Sequence, residues 1–384
     1  MRILVVNYEF PPLGGGAGNA TAHLSREMAL LGHDVTVLTS SWRGLPSIEH
    51  RDGFSIVRVP VIRRRMDRCT PLEMLTFVGS ALFKATLICW RTPPQVIITF
   101  FGIPCGPIGF GMKALFGIPY VVSLRGGDVP GFQPYDLARY HRFLAGVIRF
   151  LWRHAGSVVA NSNGLARLAS QTAPELPLVV IPNGVDPQRF SPSVRRSPEG
   201  PLRVGVVGRL VFQKGVDVLL HALPLIPSCV PISLDIIGDG GARPELERLS
   251  QNLGLERQVR FLGWKTPAEM PGVYRGLDVF ALPSRDEGMP NVVLEAMASG
   301  LPVVATQISG NEELIVQGKT GFLVPPEAPR SLADALMTLA RDPVLRDSMG
   351  LAARILVEEK YTWSRVAKQY LHIITHHIKD THRL

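Results

Sequence analysis

Cysteine is scarce: Cys69, Cys89, Cys105 and Cys229 are scattered through 384 residues, and no two form a C-x-x-C pair. That argues against a disulfide framework or a thiolate zinc site and favours a reducing compartment. Charge is also thin, at 19% of residues, beside 46% apolar or aromatic ones, which excludes a solvated or disordered chain. No unbroken hydrophobic run stands out. The longest uncharged stretch, between Arg91 and Lys113, is interrupted by Pro93, Pro94, Pro104 and Pro107, so it is not expected to cross a membrane. No secretory leader is expected, since Met1-Arg2 runs straight into the strand-like Ile3-Leu4-Val5-Val6. A soluble or surface-bound protein is the expectation. His33 follows Gly32 in a helix-to-strand turn, His372, His376 and His377 are expected to be solvated or to cap a helix dipole rather than bind metal, and no nucleophile is evident.

What is present is length, arginine and a repeating strand pattern. A chain of this length suggests two or three domains, each able to bury a core. Lys and Arg number 41 against 32 Asp and Glu, a net +9. The excess is lopsided: 21 basic and 11 acidic residues precede Ser197, whereas 20 and 21 follow. Arg supplies 33 of the positive charges, which favours fork-like grips on phosphate. An anionic partner for the first half is implied.

Short β-branched runs recur between helical stretches. They are expected at 2–7, 34–39, 55–59, 95–101, 119–124, 157–160 and 178–181, then at 203–207, 232–237, 259–262, 278–282, 302–305 and 321–324. Runs of this kind bounded by Gly or Pro suit strands buried on both faces of parallel, doubly wound sheets. Asn19 is the expected cap of a helix burying Ala20, Leu24, Met28 and Leu31, stopped by Gly32. Pro290 is expected at the first position of a helix over 292–299. The Pro- and Arg-rich stretch Pro187–Pro201 marks a boundary, giving domains of 1–196 and 197–362 and a closing amphipathic helix within 363–384.

Three segments carry chemistry. Gly14-Gly15-Gly16-Ala17-Gly18 follows the first strand; it is not G-x-G-x-x-G, but four glycines in five positions point to close approach of a ligand. Gly208-Arg209, with Lys214-Gly215 beyond, sets two cations at a strand's carboxyl end, suited to a diphosphate. Ser284–Ala305 places Glu287 before a helix N-terminus at Gly288-Met289-Pro290-Asn291 and Glu295 within the helix. Bare N–H groups there suit phosphate, and a carboxylate among apolar neighbours needs donors such as sugar hydroxyls. Together these point to a nucleotide-sugar site.

The last segment resembles the Glu-x7-Glu motif of retaining glycosyltransferase family 4. The Gly-rich turn, Asn183-Gly184-Val185-Asp186, Gly208-Arg209-Leu210, Gln213-Lys214-Gly215, Gly238-Asp239-Gly240 and Phe261-Leu262-Gly263 follow in the family's order. The resemblance implies the GT-B fold: two Rossmann-like doubly wound domains facing a central cleft, with a C-terminal helix crossing back to the first. It implies that Arg209 and Lys214 neutralise the donor diphosphate and that Glu287 holds the donor sugar and Glu295 the ribose. Gly15, Gly16, Gly208, Gly238 and the backbone of Gly288, Met289, Pro290 and Asn291 would line the donor, with Gly263 and Trp264 near its base. No metal or other cofactor is implied. One departure stands out. Where the pattern carries His in H-G-x-D, this sequence has Arg125-Gly126-Gly127-Asp128; Arg125 cannot act as a base, but it can grip a phosphate.

The family's first domain takes the acceptor, which is where the positive charge lies. Arg63, Arg64, Arg65 and Arg68 precede an apolar stretch at 72–90. Arg139, Arg142, Arg149 and Arg153 alternate with Tyr140, Phe143, Phe150 and Trp152. Basic and apolar residues so mixed suit an anionic membrane surface. A nucleic acid is not expected, because no binding motif accompanies the charge. The expected activity is transfer of a sugar from a nucleotide-diphosphate sugar to a glycan or lipid-linked acceptor, in the cytoplasm or at the inner membrane face. The alternatives are a nucleotide-sugar 2-epimerase of the same architecture and a non-catalytic sugar-nucleotide-binding protein.

Overall fold

The computed structural model describes residues 1–66, 69–132, 134–193 and 200–381. Two compact units emerge, Met1–Asn183 with Trp363–Leu384 and Gly184–Thr362. The boundary expected between Arg196 and Ser197 lies outside the described residues, and the units divide earlier, at Asn183. The reason is local. Val185 donates its N–H to Tyr361 at 2.8 Å, and Phe190 is buried in a core of the second unit.

The first unit holds eight strands: β1 (Arg2–Val6), β2 (Asp34–Ser40), β3 (Ile48–Arg51), β4 (Phe54–Val59), β5 (Val96–Phe100), β6 (Tyr120–Ser123), β7 (Ser157–Ala160) and β8 (Leu178–Val180). Their order is β3-β4-β2-β1-β5-β6-β7-β8, parallel except for the β3–β4 pair. The second unit holds β9 (Leu202–Val207), β10 (Ile232–Ile237), β11 (Val259–Gly263), β12 (Val279–Leu282), β13 (Val303–Thr306) and β14 (Gly321–Val324). They lie in the order β11-β10-β9-β12-β13-β14. Each sheet therefore reverses direction beside its first strand, at β1/β5 and β9/β12. In an open sheet the crevice outside the carboxyl ends at such a switch is where ligands bind.

Thirteen of these strands were expected, and β3 was not. Its sequence, Ile-Glu-His-Arg, is mostly exposed and polar, because it pairs only with β4 at the sheet margin. Other expectations shift by a few residues. The first helix spans Gly16–Leu30, so Asn19 lies inside its first turn and caps nothing. That helix buries Ala20, Leu24 and Met28, whereas Leu31 is exposed, and Gly32 at φ 84° turns the chain away. Pro290 is the N-cap of the helix Asn291–Ala298, not its first residue. The closing helix, Trp363–Thr381, sets Val366, Tyr370 and Ile374 in the core of the first unit, and Trp363 stacks on His23.

The helix Pro71–Arg91 is long and apolar enough by composition to cross a bilayer, with a mean hydropathy of 1.5. Its inner face is nonetheless core: Phe77, Ala81, Ala85 and Cys89 pack together beneath the sheet. A capping box of Thr70 and Glu73 fixes its start. The outward face is also apolar, with Leu72, Leu75, Phe83 and Trp90 exposed.

Candidate active site

At the carboxyl edge of the second sheet three strand ends meet on glycine. Gly208 donates its N–H to Ile237 at 3.0 Å, and Gly238 donates to Gly263 at 2.8 Å. Gly238 has φ 133°, and a Cβ there would lie 1.9 Å from the Gly208 carbonyl oxygen. Only glycine allows these backbones to touch, and the result is a floor without side chains.

Beside this floor, at the β9/β12 switch, two loops are zipped together. Arg285 donates its N–H to Gln213 at 2.7 Å, while the Gln213 side chain donates to the Asp286 carbonyl at 2.7 Å. The Arg285 guanidinium clasps Asp217 with bonds of 3.0 and 2.8 Å and lies over the Phe212 ring. Gly215, at φ 61°, lets this turn press against Pro283. The zipper delivers Lys214 to Glu287: Nζ donates to Oε1 at 2.5 Å, and Ser284 Oγ donates to the same oxygen at 2.8 Å. Both side chains are mostly enclosed, at 17% and 8% exposure, so the pair is electrostatically strong yet still reachable. Arg209, in contrast, is exposed, and its side chain has no ion pair or hydrogen bond among the described residues.

Past Glu287 the chain turns through Gly288 and buried Met289 into the helix Asn291–Ala298, whose Pro290 cap offers no side-chain bond. The backbone of Gly310 packs against the Glu287 and Gly288 carbonyls, and Asn311 holds the neighbouring Thr306 carbonyl at 2.8 Å. Glu295 lies on this helix and accepts from the buried Tyr274 hydroxyl at 2.9 Å. Burial pushes its carboxyl up to about 7, against the pull of Tyr274 and the nearby Arg189 charge. Trp264, just beyond Gly263, is exposed. Among the described residues no three His, Cys, Asp or Glu side chains gather as a metal site.

In the first unit, Gly15 and Gly16 stand at the start of the first helix, beyond β1. Gly15 donates its N–H to Glu9 Oε2 at 3.4 Å, so the turn already holds a carboxylate. Beyond β6, Asp128 accepts from the backbone of Gly102 (2.7 Å), Arg125 (2.9 Å) and Gly126 (3.1 Å). Burial raises its carboxyl, opposed chiefly by the Gly102 and Arg125 N–H groups. Arg125 points its guanidinium at Asn183 Oδ1 (2.6 Å) and Ser123 Oγ (2.9 Å), over the Phe100 ring.

The basic clusters divide into engaged and exposed arginines. Arg63 is spent inside, donating to the carbonyls of Tyr8, Arg65 and Met66. Arg149 and Arg153 both bind Glu175, at 2.9 and 2.6 Å, and Trp152 is buried, so neither arginine is the free surface cation expected from sequence. Arg64, Arg65, Arg139 and Arg142 are exposed; Arg68 lies outside the described residues. Sequence reasoning missed Arg285, Gln213, Asp217, Tyr274 and Glu9. The first two sit inside the motifs it singled out, but their role as a zipper depends on partners distant in sequence.

Family models describing "Glycosyltransferase Family 4" and "Glycosyl transferases group 1" match residues 14–189 and 187–355. An uncharacterised glycosyltransferase of Methanocaldococcus jannaschii is 28% identical over 97% of both chains. A GDP-mannose-dependent alpha-(1-6)-phosphatidylinositol monomannoside mannosyltransferase of Mycolicibacterium smegmatis is 28% identical over 94% of this chain and 95% of its own. Among solved structures, sucrose-phosphate synthase from Thermosynechococcus elongatus superposes with a TM-score of 0.86 at 21% identity, covering 98% of each chain. With two Rossmann-like sheets, near-complete coverage by the two models and relatives of this kind, the chain belongs to the GT-B glycosyltransferases of the family 4 type.

Proposed function

We propose that this glycosyltransferase is retaining and metal-independent, and that it moves a sugar from a nucleotide-diphosphate sugar to a glycan or lipid-linked acceptor in building a cell-surface glycan. The observation that carries the reading is the 2.5 Å contact of Lys214 with Glu287 at the β9/β12 switch. A diphosphate arriving there would meet Lys214 and Arg209, while Glu287, whose Oε1 takes Lys214 and Ser284, would offer Oε2 to sugar hydroxyls. Glu295 takes the ribose hydroxyls, and the glycine floor of Gly208, Gly238 and Gly263 admits the flat parts of the nucleotide. In the reaction the bond between the anomeric carbon and the diphosphate breaks, and the acceptor oxygen bonds that carbon on the same face. The acceptor's proton passes to the departing phosphate oxygen. The charge that grows on that oxygen is met by Lys214 and Arg209, an electrostatic contribution of several kcal/mol.

The mycobacterial relative is by its name dependent on GDP-mannose and specific for a phosphatidylinositol monomannoside, which supports a nucleotide-sugar donor and a lipid-linked acceptor. A surface of the first unit supports the same acceptor. The helix Pro71–Arg91 exposes Leu72, Leu75, Phe83 and Trp90, the last at 76%, and the helix Pro134–His154 exposes Phe143 at 86%. The helix Gly106–Phe116 lies between them, with its Phe110 ring against Phe150 and Leu115 exposed. Arg64 and Arg65 flank the first turn, where the Arg64 N–H is held by Glu73. Apolar residues edged by free arginines fit an anionic bilayer, and on this reading the protein works peripherally at the cytoplasmic membrane face.

The test is to incubate the full chain with labelled sugar nucleotides and lipid-linked acceptors and read the products by proton NMR. Transfer with the anomeric configuration of the donor is expected. Interconversion of sugar nucleotides alone, inverted product, or binding without turnover would each sink the reading.

A further inference from the structure

The Arg125–Asp128 loop holds an arginine in unusual company. Its guanidinium is fixed by Asn183 Oδ1, Ser123 Oγ, the Tyr370 hydroxyl at 3.4 Å and the face of Phe100, all of them neutral. No described carboxylate comes within ion-pair distance. Asp128 is the nearest opposite charge, yet its oxygens are taken by three backbone N–H groups. Two enclosed arginines are matched by carboxylates, Arg58 by Glu49 and Arg285 by Asp217, whereas buried Arg346 resembles Arg125 in donating only to a neutral group, the Leu339 carbonyl, with its Nε unbonded.

The surroundings are short of partners as well. Eight buried side-chain polar atoms lack a hydrogen bond among the described residues, and four of them belong to this edge of the first sheet: Arg125 Nε, His141 Nδ1, Trp152 Nε1 and Asn161 Oδ1. Local contacts tie them to the same loop. His141 bonds the Gly127 carbonyl through Nε2 at 2.9 Å, Trp152 Nε1 abuts Gly102 beside Asp128, and Asn161 follows β7, the strand paired with β6. Two of the four, Arg125 Nε and Trp152 Nε1, are donors; His141 donates from Nε2 to a carbonyl, which leaves Nδ1 an acceptor like Asn161 Oδ1. Buried polar groups are normally satisfied, so spare donors on and beside a loop whose cation makes no ion pair point to something bound there.

We infer that this loop is a receptor for a phosphate group of the acceptor, with Arg125 as its cation. The inference rests on the reading that the first unit takes the acceptor and names the chemistry that acceptor must carry. Phosphate fits better than a sugar hydroxyl, because the guanidinium fork matches two phosphate oxygens and a neutral hydroxyl would leave its charge unmet. The loop lies at the carboxyl edge of the sheet, with Phe100 at the end of β5, one of the two strands flanking the β1/β5 switch. A soluble phosphomonoester and a lipid headgroup both carry this chemistry, and the two sources separate in the test.

The probe is nitrogen-15 NMR of arginine Nε–H groups in the full chain, with the Arg125 resonance identified by its loss in R125K. Glycerol 1-phosphate in solution and phosphatidic acid in neutral-lipid vesicles are added in separate arms, with glycerol and neutral vesicles as controls. The Arg125 resonance should move in at least one phosphate arm and in neither control. Binding measured by calorimetry should weaken at least tenfold in R125Q and less in R125K, which keeps the charge but not the fork; R153Q, a surface variant, should match wild type. An Arg125 resonance that stays put in both arms, or R125Q binding as tightly as wild type, overturns the site. Sugar transfer is read in parallel. A protein that shows the shift but transfers no sugar loses the transferase reading and keeps the phosphate site, and one that transfers sugar with no shift does the reverse.

Discussion

The two sheets of this protein are built to one plan and furnished differently at their carboxyl edges. At the β9/β12 switch a cation and a carboxylate are pressed together, Lys214 on Glu287, and a bare glycine floor lies alongside. Across the first sheet the arrangement is reversed. The Gly-rich turn beyond β1 holds the carboxylate of Glu9, while the cation, Arg125, stands two strands away among neutral groups. A paired cation can exchange its partner for an incoming diphosphate with little change in local charge. An unpaired one must wait for its anion, which makes it a selector. On the readings proposed above, the same fold would hold one site that exchanges its anion and one that selects it.

Lys214 should separate the two sites by the widest margin. Lys214→Ala should lower transfer by roughly 10²–10³-fold, as removal of one preorganised electrostatic contact does in other active sites. It also leaves Glu287 enclosed with only Ser284 as donor, so donor affinity should fall too. The measurement is single-turnover transfer with saturating donor. A loss below about fivefold would mean that Arg209 alone carries the diphosphate and that the pair is structural.

Glu295 should make the second unit respond to pH. Its folded carboxyl sits near 7, above its ordinary value of 4.5, chiefly because of burial. Below about 4.5 the group is protonated whether the chain is folded or not, and its contribution is fully present. As pH rises towards 7, the unfolded chain ionises first and folding loses stability, by a few kcal/mol in all. Glu295→Gln cannot ionise, so its thermal stability should fall less than that of wild type between about pH 5 and 7. Parallel curves for the two proteins would show that burial does not hold the proton on Glu295. A bound ribose that donates to the carboxylate should lower the transition and restore part of the difference.

Much of this was legible in the sequence, and the gaps have physical causes. Thirteen strands announced themselves as short β-branched runs, because the inner strands of a parallel sheet are apolar on both faces, and even the edge strands β8 and β11 keep part of that pattern. β3 did not, since an exposed hairpin margin needs no apolar pattern. Glycines such as Gly208, Gly238 and Gly263 were visible as spacing, and their touching backbones give the reason for it. The Lys214–Glu287 contact was invisible, because the two residues are brought together by Arg285 and Gln213 acting across the switch. The basic runs misled in part. Arg63, Arg149 and Arg153 look alike in sequence to Arg64 and Arg65, yet carbonyls or Glu175 already claim them.

That last distinction yields the smallest expected effect. If the apolar face of the helix Pro71–Arg91 meets an anionic bilayer, the exposed Arg64 and Arg65 lie at its edge and each contributes about 1 kcal/mol to binding. Replacing both with Gln should weaken sedimentation with anionic vesicles by about 30-fold, the equivalent of about 2 kcal/mol. Replacing Arg149 and Arg153 with Gln should change it little, because their charge is shared with Glu175. Arg63 is a poor choice for this purpose, since losing it frees three carbonyls and disturbs the loop that carries its neighbours. Added salt should erase the difference between the two double variants, while leaving whatever binding Leu72, Phe83 and Trp90 provide. Equal losses from both double variants would mean that the membrane senses the net charge of the first unit and not the placement of its arginines.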